Sequence, residues 1–164
     1  MEYSEYGLHG NEPVQSLATS AMPSPARVSE PPRTLLVVDD DPTVRQLEVA
    51  ILGQHGYNVL EAEGAAEALR LADKMPAIHL LITDLSMPEM NGLELTRRFR
   101  AVHPKIPVLM VSGSLPLLHA RSELDLDRFD FLAKPFLFDE LLQKVRTLLD
   151  AVAPLPIRKS WHCD

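Results

Sequence analysis

The sequence has a single cysteine, Cys163, one residue from the end of the chain. It cannot form an internal disulfide, so a reducing compartment is the natural setting. No apolar run approaches the roughly 20 residues that a membrane helix requires. The acidic start Met1-Glu2-Tyr3-Ser4-Glu5 lacks the apolar segment of a signal peptide. Excess positive charge is also missing: the net charge is −7, which argues against non-specific nucleic-acid binding, because little would neutralise phosphates. A soluble, cytoplasmic protein with no nucleic-acid or membrane partner is the expectation. What is present is a hydrophobic content of 46% in 164 residues, enough for the core of one ordinary domain.

Residues 1–33 hold five of the 14 prolines (Pro13, Pro23, Pro25, Pro31, Pro32) with aperiodic Ser, Glu and Gly, the composition of a disordered N-terminal tail. Residues 151–164 read as a shorter C-terminal tail. The segment 34–150 between them alternates two kinds of pattern. Short apolar runs give strands at Leu35–Val38, Asn58–Ala62, Ile78–Thr83, Pro107–Val111 and Phe129–Ala133. Periodic stretches give helices. The first starts at Asp41-Pro42, with Asp as N-cap and Pro at the first helical position. It carries Val44, Leu47 and Ile51 at helical spacing and stops near Gly56. Others are expected over 65–75, over Gly92–Val102, over Leu115–Leu124 (broken early by Pro116) and over Phe138–Val152. Strands alternating with helices give right-handed crossovers and a parallel sheet.

Three of the strands end on charged residues. Leu35-Leu36-Val37-Val38 runs into Asp39-Asp40-Asp41, Leu80-Leu81-Ile82-Thr83 into Asp84, and Phe131-Leu132-Ala133 into Lys134-Pro135. Ligands of open α/β sheets bind just beyond the carboxyl ends of the strands. Three carboxylates and one ammonium would then converge on one crevice, a cluster that suits a divalent metal and a phosphoryl group. Asp84 is the candidate nucleophile, since a carboxylate attacking phosphorus gives an acyl phosphate.

Four segments carry a family resemblance: Val37-Val38-Asp39-Asp40-Asp41-Pro42, Asp84-Leu85-Ser86-Met87-Pro88-Glu89-Met90-Asn91-Gly92, Val111-Ser112-Gly113 and Lys134-Pro135-Phe136. In this order the chain resembles the receiver domain of two-component response regulators over 34–150. The resemblance implies a doubly wound, flavodoxin-like α/β/α fold with strand order 2-1-3-4-5. It implies that Asp84 accepts a phosphoryl group with Mg2+ as cofactor. Asp40, Asp84 and the backbone carbonyl of Ser86 would hold the metal, with Asp39 acting more through water. Lys134 and Ser112 would then hold the phosphoryl group, and Ser112 and Phe131 would act as switch residues. Ser86 and Ser114 would sit where the lifetime of the phosphoryl-aspartate is tuned. It also implies a cis bond before Pro135. Gly113 keeps a side chain out of the mouth of the site, and Asn91-Gly92 marks a tight turn with positive φ. The partners implied are a sensor histidine kinase or histidine phosphotransfer protein and an unknown downstream protein.

Asp39-x-Asp41-x-Thr43 after a strand also looks like the first motif of haloacid-dehalogenase-type phosphatases, with Asp39 as nucleophile and Asp41 as acid/base. That alternative leaves Asp84 and Lys134-Pro135-Phe136 unexplained, and Asp139-Glu140 falls inside a helix, a poor place for its later acidic pair. A non-phosphorylated receiver-fold binding module is a second alternative. With no basic recognition helix after residue 150, the expectation is a stand-alone receiver, a signalling protein rather than an enzyme. A detached receiver of a hybrid kinase fits equally.

Overall fold

A computed structural model of the chain describes residues 32–75, 77–113 and 128–151. Apart from residues 32, 33 and 151, the two expected tails lie outside them, as do Ser114 and the expected helix Leu115–Leu124. Among the described residues the order is β1 (Thr34–Val38), α1 (Pro42–Gln54), β2 (Asn58–Ala62), α2 (Ala65–Lys74), β3 (Leu80–Asp84), α3 (Gly92–Val102), β4 (Val108–Ser112), β5 (Phe129–Ala133) and α4 (Phe138–Asp150). All strand pairs are parallel and the sheet order is β2-β1-β3-β4-β5, the order expected. No helix among the described residues is long and apolar enough to cross a membrane.

β1, β3 and β4 are buried along their whole length, as parallel strands covered on both faces must be. Strand alternation then sorts the core in two. Leu35, Val37, Leu80, Ile82, Leu109, Val111 and Leu132 pack against Ile51 and Leu52 of α1 and Leu141, Leu142 and Val145 of α4. Leu36, Val38, Leu81 and Val108 pack against Ala68 and Ala72 of α2 and Leu95 and Phe99 of α3. This is a three-layer sandwich with α1 and α4 on one side and α2 and α3 on the other.

Two expected strands are displaced. β3 begins at Leu80 and includes Asp84, and β4 begins at Val108 and includes Ser112. The apolar runs did not show this, because the polar ends Asp84 and Ser112 still pair with the neighbouring strand. The inward stripe of α1 also differs. Its buried residues are Glu48, Ile51 and Leu52, while Leu47 is 45% exposed. An apolar stripe drawn through Leu47 misses the true face because a glutamate occupies part of it.

The helix ends follow local chemistry. Asp41 caps α1, its Oδ1 accepting from the amides of Thr43 (2.8 Å) and Val44 (3.4 Å). These amides hold its carboxyl below the usual range. At the other end Gly56 adopts φ +85. Its amide donates to Gly53 O and that of Tyr57 to Leu52 O, the two bonds of a Schellman cap.

The Asn91-Gly92 pair is not the positive-φ turn expected of it. Asn91 has φ −73 and caps α3 by accepting from the amide of Glu94 at 2.9 Å. The residue with positive φ is Glu89, at 64. Gly92 has another reason to be glycine: a Cβ there would collide with the backbone carbonyl oxygen of Asp84. The start of α3 therefore lies directly against the end of β3. Gly92→Ala should lower stability by about 1–3 kcal/mol, the usual cost of overpacking. Urea denaturation of the two proteins checks this, and an unchanged midpoint would mean that the backbone yields there without cost.

Candidate functional site

The register of the sheet builds the site. Val38 pairs with Thr83, so Asp39 and Asp84 follow side by side. Asp84 pairs with Val111 and Ser112 with Ala133, which brings Lys134 to the same end. Alternation sets the faces. Asp39 continues the Leu35–Val37 series, Asp84 the Leu80–Ile82 series, and Lys134 follows Leu132 by two. All three side chains therefore belong to the α1/α4 side of the sheet. This crevice is the switch point of the fold, where β1 leads to one edge and β3 to the other.

Lys134 Nζ donates to Asp39 Oδ2 at 2.7 Å and to Asp84 Oδ1 at 2.8 Å. Asp39 is 2% exposed and Asp84 7%, and the lysine side chain is 24% exposed. The remaining oxygens are also engaged: Asp39 Oδ1 accepts from the amide of Asp41 at 2.8 Å and Asp84 Oδ2 from that of Ser86 at 2.7 Å. Burial works against the ammonium, but its bonds to Asp39 and Asp84 outweigh it and hold the Lys134 pKa above the usual value. The amide of Lys134 donates to Ser112 O at 2.7 Å, and the Lys134–Pro135 bond is cis.

Asp40 stands apart from that cluster. It follows Val38 by two on the α2/α3 side, is exposed, and lines a groove of about 380 Å³ with Glu63, Arg70, Pro88 and Glu89. Ser112 is 2% exposed at the end of β4. Phe131 is half-buried on β5 and meets Phe129 edge-on, with ring centroids 6.2 Å apart. It is therefore no deep core residue. Among the described residues, a Cβ at Gly113 would meet Lys134 Cβ alone, at an ordinary 4.0 Å, so these neighbours do not require a glycine.

No group of three or more His, Cys, Asp or Glu side chains among the described residues forms a ready-made metal cage. Mg2+ rarely needs one. It binds through one or two carboxylates and keeps several waters. Two buried carboxylates against one ammonium leave an excess of negative charge at the crevice, Asp40 adds an exposed carboxylate at the same strand end, and all these donors are hard oxygens, so the residues fit a divalent cation of this kind.

Two residues that the strand-end reasoning did not single out belong to the surroundings of the site, both on α1. Arg45 Nη1 donates to the backbone carbonyl of Asp39 at 2.6 Å, and its Nε to Glu61 Oε2 at 3.3 Å. Glu48 is 1% exposed and its Oε1 has no hydrogen-bond partner. Burial, then the charge of Asp39, pushes its pKa up to about 8, against the pull of Lys134. The only sequence signal was spacing: Arg45 and Glu48 lie four and seven residues beyond the Asp41 cap, on one helical stripe. The carboxylates offered to the phosphatase alternative are engaged otherwise. Asp41 caps α1, and Glu140 accepts from the amide of Leu137 at 2.8 Å at the start of α4.

The family model described as the response regulator receiver domain matches residues 35–146. The chain is 37% identical over 129 residues to the transcriptional regulatory protein GlrR of Escherichia coli (strain K12), covering 77% of this chain and 28% of GlrR. It thus spans little more than a quarter of that relative's length. Among solved structures, the chemotaxis protein CheY4 of Vibrio cholerae superposes with a TM-score of 0.66 at 28% identity, covering 72% of this chain and 99% of CheY4. The response regulator protein TrrA of Thermotoga maritima, solved in complex with Mg2+-BeF, superposes with a TM-score of 0.61 at 34% identity, covering 71% and 99%.

Glu48 makes stability depend on pH. Its folded-state pKa, about 8, lies above the ordinary 4.5, so the folded chain keeps a proton that the unfolded chain sheds. This contribution is fully present below pH 4.5 and is lost as pH rises to 8, in all on the order of a few kcal/mol. Urea midpoints in chelator should therefore fall further between pH 5 and pH 8 in the parent than in Glu48→Gln. Parallel losses in the two proteins would sink the argument.

Proposed function

The chain belongs to the response regulator receiver domain family, and from that premise we propose that Asp84 is its phosphoacceptor. The observation that carries the proposal is the buried Asp39–Lys134–Asp84 bridge at the carboxyl ends of β1, β3 and β5. The receiver unit in this reading is 34–150, with 1–33 and 151–164 as tails. The phosphoryl donor is a phosphohistidine on a sensor histidine kinase or histidine phosphotransfer protein, and the output is a protein–protein contact. The control of transcription in GlrR's name belongs to a protein of which this chain covers 28% and is not carried over.

Asp84 Oδ attacks phosphorus in line. An O–P bond forms, the N–P bond to the histidine breaks, and its electron pair stays on the imidazole nitrogen, which takes a proton from solvent. Asp84, Asp40 and the carbonyl of Ser86 would hold Mg2+, with Asp39 acting more through water. When bound, the ion supplies orientation and charge neutralisation. Lys134 leaves the Asp84 carboxylate for the incoming phosphoryl oxygens, a short move for a flexible point charge. Ser112, one residue from Gly113 at the end of β4, donates its hydroxyl to the same group. The loop after β5 then moves, and Phe131, only half-buried, has room to change its packing. The switch is a local change of charge that biases a two-state element.

Intact-mass measurement after incubation with Mg2+ and a small acyl phosphate tests this. One added phosphoryl group is expected on the parent, and none on Asp84→Asn or in chelator. Donor consumption followed in the same tubes separates a short-lived adduct from an inert site. Neither adduct nor consumption in the parent would leave a silent binding module, and consumption surviving Asp84→Asn but lost in Asp39→Asn would favour a phosphatase.

A further inference from the structure

Glu48 takes no part in that chemistry, yet it is the least exposed acidic side chain among the described residues. It occupies an inward position of α1 beside Ile51 and Leu52, with Oε1 unpartnered. A carboxyl in such a place costs stability, and a leucine of similar size would avoid that cost. The charges that bear on it come from three other elements: Asp39 at the end of β1, Asp84 at the end of β3 and Lys134 beyond β5. Its helical neighbour Arg45 is turned to Glu61 of β2 and to the Asp39 carbonyl. α4 contributes Leu141, Leu142 and Val145 to the core beside Ile51 and Leu52, and the charges acting on Glu48 are those of Asp39, Lys134 and Asp84.

We propose that Glu48 is a positioning residue that links the charge held in the crevice to a buried proton: the carboxyl stays neutral while Lys134 alone balances Asp39 and Asp84, and releases its proton to solvent when a divalent cation is bound there. This rests on reading the crevice as a Mg2+-dependent phosphoacceptor site. The direction follows from Coulomb's law. Added positive charge favours the carboxylate, and the carboxylate in turn favours the cation. The coupling is reciprocal, so cation affinity rises with pH until Glu48 is ionised without help. One fully linked proton would change the apparent affinity by about tenfold per pH unit. Sealed on the α1 side of the sheet, Glu48 touches neither solvent nor phosphoryl group. It acts only through the charges of Asp39, Asp84 and Lys134, which makes it a positioning residue and not a catalytic one.

The test uses the full chain and Mg2+ alone. Affinity is read from amide NMR shifts at pH 6 and pH 8.5, and proton release from an indicator in weakly buffered solution. Glu48→Gln keeps the volume and a neutral polar end but has no proton to give. The parent should release protons on adding Mg2+, and its affinity should rise severalfold more over that range than the variant's. A carboxyl carbon label on glutamate gives a readout that needs no variant: at pH 7.5 the Glu48 signal should move toward the ionised position as Mg2+ is added. A Glu48 signal that stays put, or equal affinity profiles and equal proton release in two folded proteins, would overturn the inference and leave Glu48 a structural residue. Absence of Mg2+ binding by the parent at both pH values would overturn the phosphoacceptor reading on which it rests.

Discussion

One ammonium holding two buried carboxylates is the contact around which the rest of the molecule is arranged. Lys134 lies 95 residues from Asp39 and 50 from Asp84, so only the assembled sheet brings the three together. Without the lysine, two nearly buried negative charges would face one another. Breaking a buried ion pair by removing one partner costs about 3–5 kcal/mol, discounted here because Lys134 is partly exposed. The parallel ladder supplies the precision: the β1–β3, β3–β4 and β4–β5 registers set the three side chains in line, and the fully buried apolar runs of β1, β3 and β4 fix the first two.

The same alternation explains why adjacent aspartates have different surroundings. Asp39 falls on the α1/α4 side, where the ammonium is. Asp40 falls on the α2/α3 side, in the groove beside Glu63 and Glu89. A run of acids after a buried strand thus places carboxylates on both sides of one strand end, one sealed and one wet. Gly92 closes the arrangement from below, because α3 can start against the Asp84 carbonyl only where no Cβ intervenes. The polar atoms at the end of β3 are tied in turn, the Leu85 amide to Val111 O and the Gly92 amide to Leu85 O.

The strands and their charged ends were legible because each rests on a short-range signal, whereas the strand order came from the family resemblance. A β-branched apolar run of four or five residues bounded by turn signals reads as a covered strand, and Asp-Pro and Gly at helix ends have direct local causes. What was not legible required knowing the neighbour. Asp84 and Ser112 look like loop residues in sequence, yet they finish strands because an adjacent strand still offers a partner. Asn91-Gly92 has the letters of a turn, but the geometry is decided by α3 packing on β3, so asparagine becomes a cap and glycine a clearance. The inward face of α1 was missed for the same reason: hydrophobic spacing pointed through Leu47, and a buried glutamate has no apolar signature.

That glutamate shows where local and global preferences part. Every other inward position of α1 and α4 is apolar, and such consistency is what gives a sequence a single fold. Glu48 breaks it, and no hydrogen bond to Oε1 compensates. The nearest cation on its own helix is already committed, since Arg45 holds the Asp39 carbonyl and Glu61. The field at Glu48 is therefore set by the crevice itself, with two carboxylates on one side of the balance and one ammonium on the other. Through Asp41, Arg45 and Glu48, spaced four and three residues apart, α1 meets the end of β1 and its charges along one stripe. The cap fixes where the helix starts, the arginine fixes the strand end, and the buried carboxyl responds to the charge that results. The site is thus not confined to the strand ends: the helix packed behind them takes part in its electrostatics.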